Sequence, residues 1–170
     1  EEPAPAFAHP PAATRPVLER PGARMVVVAG HAFGARAPVQ VLVDTLYVSI
    51  EMKAGATLAI PAEHAERALY PVEGELMLDG EPLPQDHLAV LEPGTEPVLR
   101  AGTDARVMLL GGAPLDGPRT IWWNFVSSRR ERLEQAKADW NEGRIPRPVG
   151  DTEEWIPAPD DPMPAPHRLT

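Results

Sequence analysis

The sequence predicts an all-β barrel or sandwich followed by one α-helix, with proline-rich extended arms at both ends. About nine short apolar segments separated by turn residues lie between positions 24 and 112. A helical pattern replaces them after residue 127. The 22 prolines are concentrated in residues 1–22 and 146–170, where each removes a backbone hydrogen-bond donor. We therefore expect extended segments there, not helix or sheet interior.

Each predicted strand combines apolar residues with a flanking turn signal. Alternation of apolar and polar residues is clearest in 46–52, which predicts a half-buried strand. Asp79-Gly80 lies between two short apolar segments and predicts a tight hairpin, because its turn needs positive φ angles. The predicted strands are 24–29, 39–43, 46–53, 57–60, 67–72, 75–78, 88–91, 98–99 and 105–110.

The sequence pattern divides the chain into four segments. We predict a proline-rich linker or arm over 1–23, a β-barrel over 24–115, a tryptophan-rich segment with a terminal helix over 116–145, and an extended tail over 146–170. Ser128 with Glu131 matches a capping box at the start of that helix, and Gly143 fits its C-terminal cap. Leu133, Ala136 and Trp140 form an apolar stripe, which predicts packing of the helix on the barrel.

Composition excludes several classes of function. The formal net charge of −9 disfavours a nucleic-acid surface, which needs a basic stripe. The absence of cysteine excludes disulfides, thiolate metal sites and cysteine nucleophiles. No apolar run approaches the ~20 residues of a membrane span. The chain starts Glu-Glu-Pro without a signal-peptide pattern, so we expect a cytoplasmic protein and a fragment or processed chain.

The segment from Gly55 to Gly74 resembles the first metal-binding motif of the cupins, G-x5-H-x-H-x3-E-x6-G, in spacing but not in its ligands. A second cupin motif, G-x5-P-x-G-x2-H-x3-N, keeps its turn as Pro93-Gly94. The resemblance implies a cupin-type (RmlC-like) jelly-roll β-barrel. In such barrels three histidines and one glutamate hold iron, manganese or nickel, with positions left open for substrate.

The four ligand positions of that pattern here carry Pro61, Glu63, Arg67 and Pro97. A single carboxylate beside a permanent cation does not make a metal cage, so we predict no metal, no cofactor and no catalytic residue in this chain. We expect an ion pair between Arg67 and Glu63 in the former cavity. The alternative is a pocket formed by Glu63, Arg67 and His64, in which Arg67 binds a carboxylate ligand.

His64 leaves a second alternative open. A register slip of one residue would turn its side chain inward. With Glu66 and His87 it could then form a makeshift metal site. Surface or hydrogen-bonded histidines are the simpler interpretation of both imidazoles.

Several motifs further along the chain resemble the pirin family. The resemblance covers nearly the whole chain, and its most specific part is the block Trp-Trp-Asn-Phe-Val-Ser-Ser at 122–128 with the helix after it. The other matching motifs lie at 30–34, 72–75, 109–115, 118–121, 134–140 and 150–157.

The resemblance implies that this chain is the carboxy-terminal half of a tandem pair of barrels, preceded by the linker. Iron is then expected only in an amino-terminal cupin, present in the same protein or as a separate chain. A homodimer is an alternative partner, and no direct nucleic-acid or membrane binding is expected.

The predicted role is therefore a structural or interaction partner of a metal-bearing barrel. The second hypothesis is that the complete protein is an iron-dependent quercetin 2,3-dioxygenase-like oxidoreductase. A small-molecule binding module is the third hypothesis. We expect Trp122, Trp123 and Trp140 to pack in the core and not to stack on a ligand.

Overall fold

A computed structural model describes residues 8–147, 150 and 153–161. Residues 9–114 form one compact unit, and the described residues from 115 onwards form another together with residue 8. No helix in the described part of the chain is long and apolar enough to span a membrane.

The first unit consists of strands preceded by a single 3-10 turn at Ala12–Thr14. The strands are β1 Val17–Arg20, β2 Ala23–Ala32, β3 Ala35–Arg36, β4 Thr45–Met52, β5 Thr57–Ala59, β6 Glu66–Glu73, β7 Leu76–Leu78, β8 Glu81–Leu83, β9 Ala89–Leu91, β10 Val98–Ala101 and β11 Ala105–Gly112. The larger sheet has the order β1-β2-β4-β11-β6-β9, with β3 paired to β2. A second, four-stranded sheet has the order β5-β10-β7-β8.

One hydrophobic core joins the inner faces of the two sheets. Alternate residues of β4, including Val48 and Ile50, point into it, while their neighbours are half-buried or exposed. Leu99 from the smaller sheet belongs to the same cluster and is fully buried. This arrangement confirms the predicted all-β barrel, since the period-2 pattern of each strand buries one face.

The hairpin predicted at Asp79-Gly80 is confirmed. Strands β7 and β8 pair through Leu78 and Glu81, so the turn has two residues between them. Both turn residues have positive φ angles, 49° and 89°. That geometry matches the right-handed twist of the strands, which explains why the dipeptide predicts the turn.

Two predictions about the strands are wrong. No strand forms at 39–43, although the segment is apolar. It connects β3 to β4 with Leu42 and Val43 exposed, so no burial of an apolar face favours a strand there. The extended arm predicted over 1–23 is also wrong for Val17–Arg20, which pair with β2 as an edge strand. Prolines flank this strand at positions 16 and 21, where they remove no donor from the β1–β2 ladder.

The second unit contains a hairpin and one helix. Strands β12 (Thr120–Trp122) and β13 (Phe125–Ser127) pair around a turn in which Trp123 has a φ angle of 51°. Helix α1 follows at Arg130–Asn141. In the remaining described residues of the tail there is neither helix nor strand, and the rest of the predicted tail and arm lies outside the described residues.

The predicted helix is present, but the prediction of a capping box at Ser128 and Glu131 is wrong. Arg129 occupies the N-cap position without a side-chain capping bond. The hydroxyl of Ser127, not that of Ser128, accepts the backbone N–H of Arg129 at 3.1 Å. The predicted C-terminal cap is confirmed, since Gly143 has a φ angle of 71° and donates its N–H to the carbonyl of Trp140.

Aromatic side chains pack the second unit. Trp122 is 4% exposed, while Trp123 and Trp140 are half-buried with ring centroids 5.3 Å apart. Trp140 stacks on Trp155 and donates its indole N–H to the carbonyl of Ile156 at 2.8 Å. The tryptophans therefore hold the segment 153–161 against the helix, in agreement with the predicted packing role.

Candidate functional site

Three of the four cupin ligand positions lie close together in the barrel. Pro61 follows β5, Arg67 is the second residue of β6, and Pro97 directly precedes β10. The guanidinium of Arg67 donates to the carbonyl of Pro61 at 2.9 Å. The carbonyl of Pro97 accepts the N–H of Ile60 at 2.9 Å, which holds the same loop.

Arg67 is buried, with 1% of its surface exposed. Besides Pro61, its guanidinium donates to the carbonyl of Glu92 at 2.9 Å, and it approaches the carbonyl of Ile60 at 3.5 Å. Its Nε is buried without a hydrogen-bond partner among the described residues. A cation at this position therefore holds two loops together through their backbone carbonyls.

The ion pair predicted between Arg67 and Glu63 is wrong. Glu63 is exposed, and its Oε2 accepts the backbone N–H of Phe33 at 2.8 Å in the turn after β2. Within the described residues no ion pair joins Glu63 to Arg67. Loop 60–65 turns the carboxylate away from the barrel axis and leaves backbone carbonyls to surround the guanidinium.

The cupin ligand positions do not fit the iron that the fold family implies. Two of them are prolines, which have no side-chain donor atom, and the single carboxylate points to another loop. Arg67 adds a permanent positive charge that repels a metal cation. We derive no metal chemistry at these four positions.

The alternative site of His64, Glu66 and His87 is not assembled. His87 is exposed, and its Nδ1 lies 3.0 Å from the carbonyl of Gln85. Glu66 is also exposed. His64 is buried as the register-slip alternative expected, but it contacts other residues. Glu63 and His64 contact residues 31–33, whereas Arg67 contacts the carbonyls of Pro61 and Glu92. These contacts do not bring the three side chains together in one small-molecule pocket.

His64 lies in a cluster with His31 and Asp44. His31 is near the end of β2, Asp44 directly precedes β4, and His64 lies in the loop before β6. The Nδ1 of His64 is 2.9 Å from Oδ2 of Asp44, and its Nε2 is 2.8 Å from the backbone carbonyl of His31. The Nδ1 of His31 is 3.5 Å from Oδ1 of Asp44. The side chain of His64 is 1% exposed, whereas the other two are 35% and 39% exposed.

Sequence reasoning missed His31 and Asp44 as site residues. His31 and Asp44 are 13 positions apart, and Asp44 and His64 are 20 positions apart. This spacing matches no ligand motif. The strand register brings them together, because Gly30 of β2 pairs with Leu46 at the start of β4. Only knowledge of that register could have placed the three side chains at one end of the larger sheet.

Glycines allow the strands to approach closely beside this cluster. Gly30 has a φ angle of 71°, and a Cβ there would lie 1.6 Å from the carbonyl oxygen of Thr45. A Cβ on Gly112 would lie 2.2 Å from the carbonyl oxygen of Asp44. Both positions therefore require glycine, and both fix the backbone that carries Asp44.

The outer face of the larger sheet has two chemically different parts. Near one end, charges of alternating sign cross five strands at salt-bridge distances of 3.5–3.8 Å. The next two rows are mostly apolar. The charged row is Glu19, Arg24, Glu51, Arg106 and Glu73, and the exposed apolar residues beyond it are Val17, Tyr47, Tyr70, Val72 and Val90.

A further charged pair lies near this row. The Nζ of Lys53 donates to a carboxylate oxygen of Asp104 at 2.7 Å, and the N–H of Ala54 donates to the other oxygen. The hydrogen bond from Lys53 is the main cause that holds the pKa of Asp104 below its ordinary value. The same bond raises the pKa of Lys53. Both groups are exposed, so solvent screens the pair.

Comparison with known proteins places this arrangement in a family. Residues 47–146 match the family model described as the pirin C-terminal cupin domain. A pirin-like protein of Caulobacter vibrioides is 45% identical over 161 residues, which cover 94% of this chain and 56% of that protein. A putative quercetin 2,3-dioxygenase of Pseudomonas aeruginosa is 34% identical over 142 residues, which cover 82% of this chain and 44% of that protein.

A solved structure gives the same result. The crystal structure of a quercetin 2,3-dioxygenase from Acinetobacter baumannii matches with a TM-score of 0.74 and 26% identity. The match covers 87% of this chain and 51% of the other. The chain thus spans about half the length of the relatives that it matches.

Proposed function

Since the chain belongs to the pirin family and carries its C-terminal cupin domain, we propose that it acts as the non-metal half of a two-barrel protein. In this proposal the outer face of the larger sheet docks against a metal-bearing cupin barrel. That companion barrel belongs to the same protein or to a separate chain. The observation that carries the proposal is the apolar surface of that face.

The apolar rows suit a stable interface. Tyr47 and Tyr70 are 37% and 39% exposed, and Val90 is 79% exposed. Exposed aromatic and aliphatic residues that form a contiguous patch are typical of interaction surfaces, with tyrosine enriched among interface residues. The charged row from Glu19 to Glu73 borders this patch on one side. An apolar centre with a polar rim is the usual anatomy of a protein interface.

The length of the relatives supports a barrel as the occupant. The matched regions cover 56% and 44% of two relatives, so each has room for a second domain of similar size. A second cupin barrel would present a sheet of its own, and two sheets pack face to face at about 10 Å. We therefore favour a sheet-on-sheet interface over the pairing of two edge strands.

The cupin ligand positions support a division of labour. Pro61, Arg67 and Pro97 offer no metal donor at three of the four positions. In the proposed protein the iron would be held by the companion barrel. The buried Arg67 would instead stabilise the loops on this side.

The test uses the Caulobacter vibrioides relative as the source of the companion. The part of that protein outside the matched region is produced separately and titrated with this chain by isothermal titration calorimetry. We expect a 1:1 complex, and Val90→Lys should weaken it by at least about tenfold, since a charge would enter the apolar rows of the docking face. Val98→Lys is the control, because Val98 is also an exposed valine, at 44%, but lies on the smaller sheet. Absence of a complex, or equal weakening by both variants, would contradict the proposal.

A second candidate function concerns the whole protein. Relatives named putative quercetin 2,3-dioxygenases match this chain at 34% and 35% identity, which favours an iron-dependent oxidoreductase of that type. The activity would then require the companion barrel. Oxygen uptake with quercetin should occur with the two barrels together and not with this chain alone. Oxygen uptake by this chain alone would contradict the proposal that the activity requires the companion barrel.

A further inference from the structure

His31, Asp44 and His64 form the one group of three potential metal ligands within residues 8–147, 150 and 153–161. Their ligand atoms all lie within 4.8 Å of one another. None of the three occupies a ligand position of the cupin pattern. From their geometry we infer that this cluster is a binding site for a borderline transition-metal dication such as Zn²⁺, separate from the cupin site.

The protonation of His64 is the first step of the argument. Its Nε2 faces the backbone carbonyl of His31 at 2.8 Å. A carbonyl only accepts hydrogen bonds, so the ring proton must be on Nε2. The same pattern, in which the second ring nitrogen donates to a carbonyl, orients histidine ligands in metal sites.

The lone pair of His64 is the second step. With its proton on Nε2, the neutral ring presents the lone pair of Nδ1 to the carboxylate of Asp44 at 2.9 Å. Two electron-pair donors at that distance repel unless a cation lies between or beside them. A second proton or a metal ion satisfies this requirement, and the Nδ1 of His31 adds a third donor 3.5 Å from the carboxylate.

The distances and donor types favour a metal ion. Bonds of about 2.0–2.2 Å place two ligand atoms of a tetrahedral ion roughly 3.3–3.6 Å apart. The contact between Asp44 and His31, at 3.5 Å, lies in that range, and the contact between Asp44 and His64, at 2.9 Å, must lengthen by a few tenths of an ångström to admit the ion. Two imidazoles and one carboxylate suit zinc and its neighbours, whereas calcium and magnesium prefer oxygen donors.

Burial and exposure divide the roles within the cluster. The side chain of His64 is 1% exposed and fixed by its two contacts, so it forms the rigid base of the site. His31 and Asp44 are about one-third exposed, which leaves room for water or another ligand at the remaining coordination positions. Gly30 and Gly112 fix the adjacent backbone by allowing the close approach of the strands. The site is therefore largely formed before a metal binds.

The experiment is a titration of the untagged, EDTA-stripped chain with ZnCl₂ at pH 7.5 by isothermal titration calorimetry. Co²⁺ serves as a spectroscopic probe. We expect one saturable equivalent of Zn²⁺ and a visible Co²⁺ spectrum of a four- or five-coordinate ion. Loss of an outer-shell partner alone lowers metal affinity about 10–100-fold. His31→Gln and Asp44→Asn, which remove ligands, should therefore lower it by at least as much.

His87→Gln is the matched control, because His87 is exposed and lies outside the cluster. Circular dichroism checks that each variant is folded, and the partly exposed position of His31 makes its variant the milder test. Three results would overturn the inference: no saturable binding, equal affinity in His31→Gln and His87→Gln, or both ring nitrogens of His64 protonated by ¹⁵N NMR at equimolar Zn²⁺. The last result would show that a proton, not a metal, neutralises the cluster.

Discussion

Replacing Arg67 tests how this barrel retains its shape without a metal. Arg67→Ala removes two 2.9 Å hydrogen bonds from a guanidinium that is 1% exposed. The carbonyl of Pro61 then loses its charged donor, whereas the carbonyl of Glu92 keeps the hydroxyl of Thr95 at 2.8 Å. One unsatisfied acceptor costs about 1–3 kcal/mol, and the missing side chain adds a cavity cost. We expect the free energy of unfolding to fall by about 3–5 kcal/mol, a large part of the 5–15 kcal/mol that is typical of a domain.

Urea denaturation followed by circular dichroism measures this loss. Arg67→Met should cost less, about 1–3 kcal/mol, because methionine fills most of the volume and the desolvated cation is gone. The carbonyl of Pro61 still loses its donor. Arg100→Ala on β10 is the control, since an exposed arginine should change stability by no more than about 0.5 kcal/mol. If Arg67→Ala stayed within about 1 kcal/mol of the parent protein, the reasoning that Arg67 holds the loops together would be refuted.

Three further changes follow from the structure. Gly30→Ala would place a Cβ 1.6 Å from a carbonyl oxygen of β4 and should lower the free energy of unfolding, measured by urea denaturation, by more than about 3 kcal/mol. Gly34→Ala, with open space around the added Cβ, should lower it by about 1–2 kcal/mol, and equal losses in the two variants would contradict this. The pKa of Asp104 is lowered mainly by Lys53, so the stabilisation from this carboxylate is present above about pH 4 and is lost as the pH falls through its pKa. Lys53→Met should raise the NMR titration midpoint of that carboxyl, and an unchanged midpoint would exclude the pair as the cause. Trp140→Phe removes an indole hydrogen bond to the tail, so the tail amides should exchange faster with deuterium; unchanged exchange would mean that other contacts hold the tail.

Local chemistry explains the parts of the fold that were predictable. The alternation in β4 and the turn at Asp79-Gly80 depend on neighbouring residues alone, and both were predicted correctly. Gly143 belongs to the same group, since a helix that ends in a left-handed residue favours glycine. In each case the preference of a few adjacent residues agrees with the final structure.

Other features depend on contacts that the sequence does not display. The β12–β13 hairpin needs a positive φ angle at Trp123, a residue that rarely adopts one, so aromatic packing overrides the local preference. The role of Ser127 at the start of the helix was missed because only Ser128, three residues before Glu131, matches the capping-box pattern.

The candidate site shows the same limit. The cupin spacing correctly brought Pro61 and Arg67 together, but it could not predict that Glu63 turns towards Phe33. A loop side chain has no periodicity that reveals its direction. His64 was singled out with the wrong partners, since its true neighbours come from strands whose register is set by long-range pairing.

Hydroxyl-radical footprinting tests the proposed docking face most directly. Tyr47 and Tyr70 lie in the apolar rows of the larger sheet, and Met77, on the smaller sheet, has a similar exposed fraction of 36%. Labelling is compared in the chain alone and in the mixture with the companion part of the Caulobacter vibrioides protein. If the face docks the companion, oxidation of both tyrosines should fall severalfold while that of Met77 stays unchanged. Unchanged tyrosine labelling in a complex, or protection of Met77 instead, would contradict the proposal.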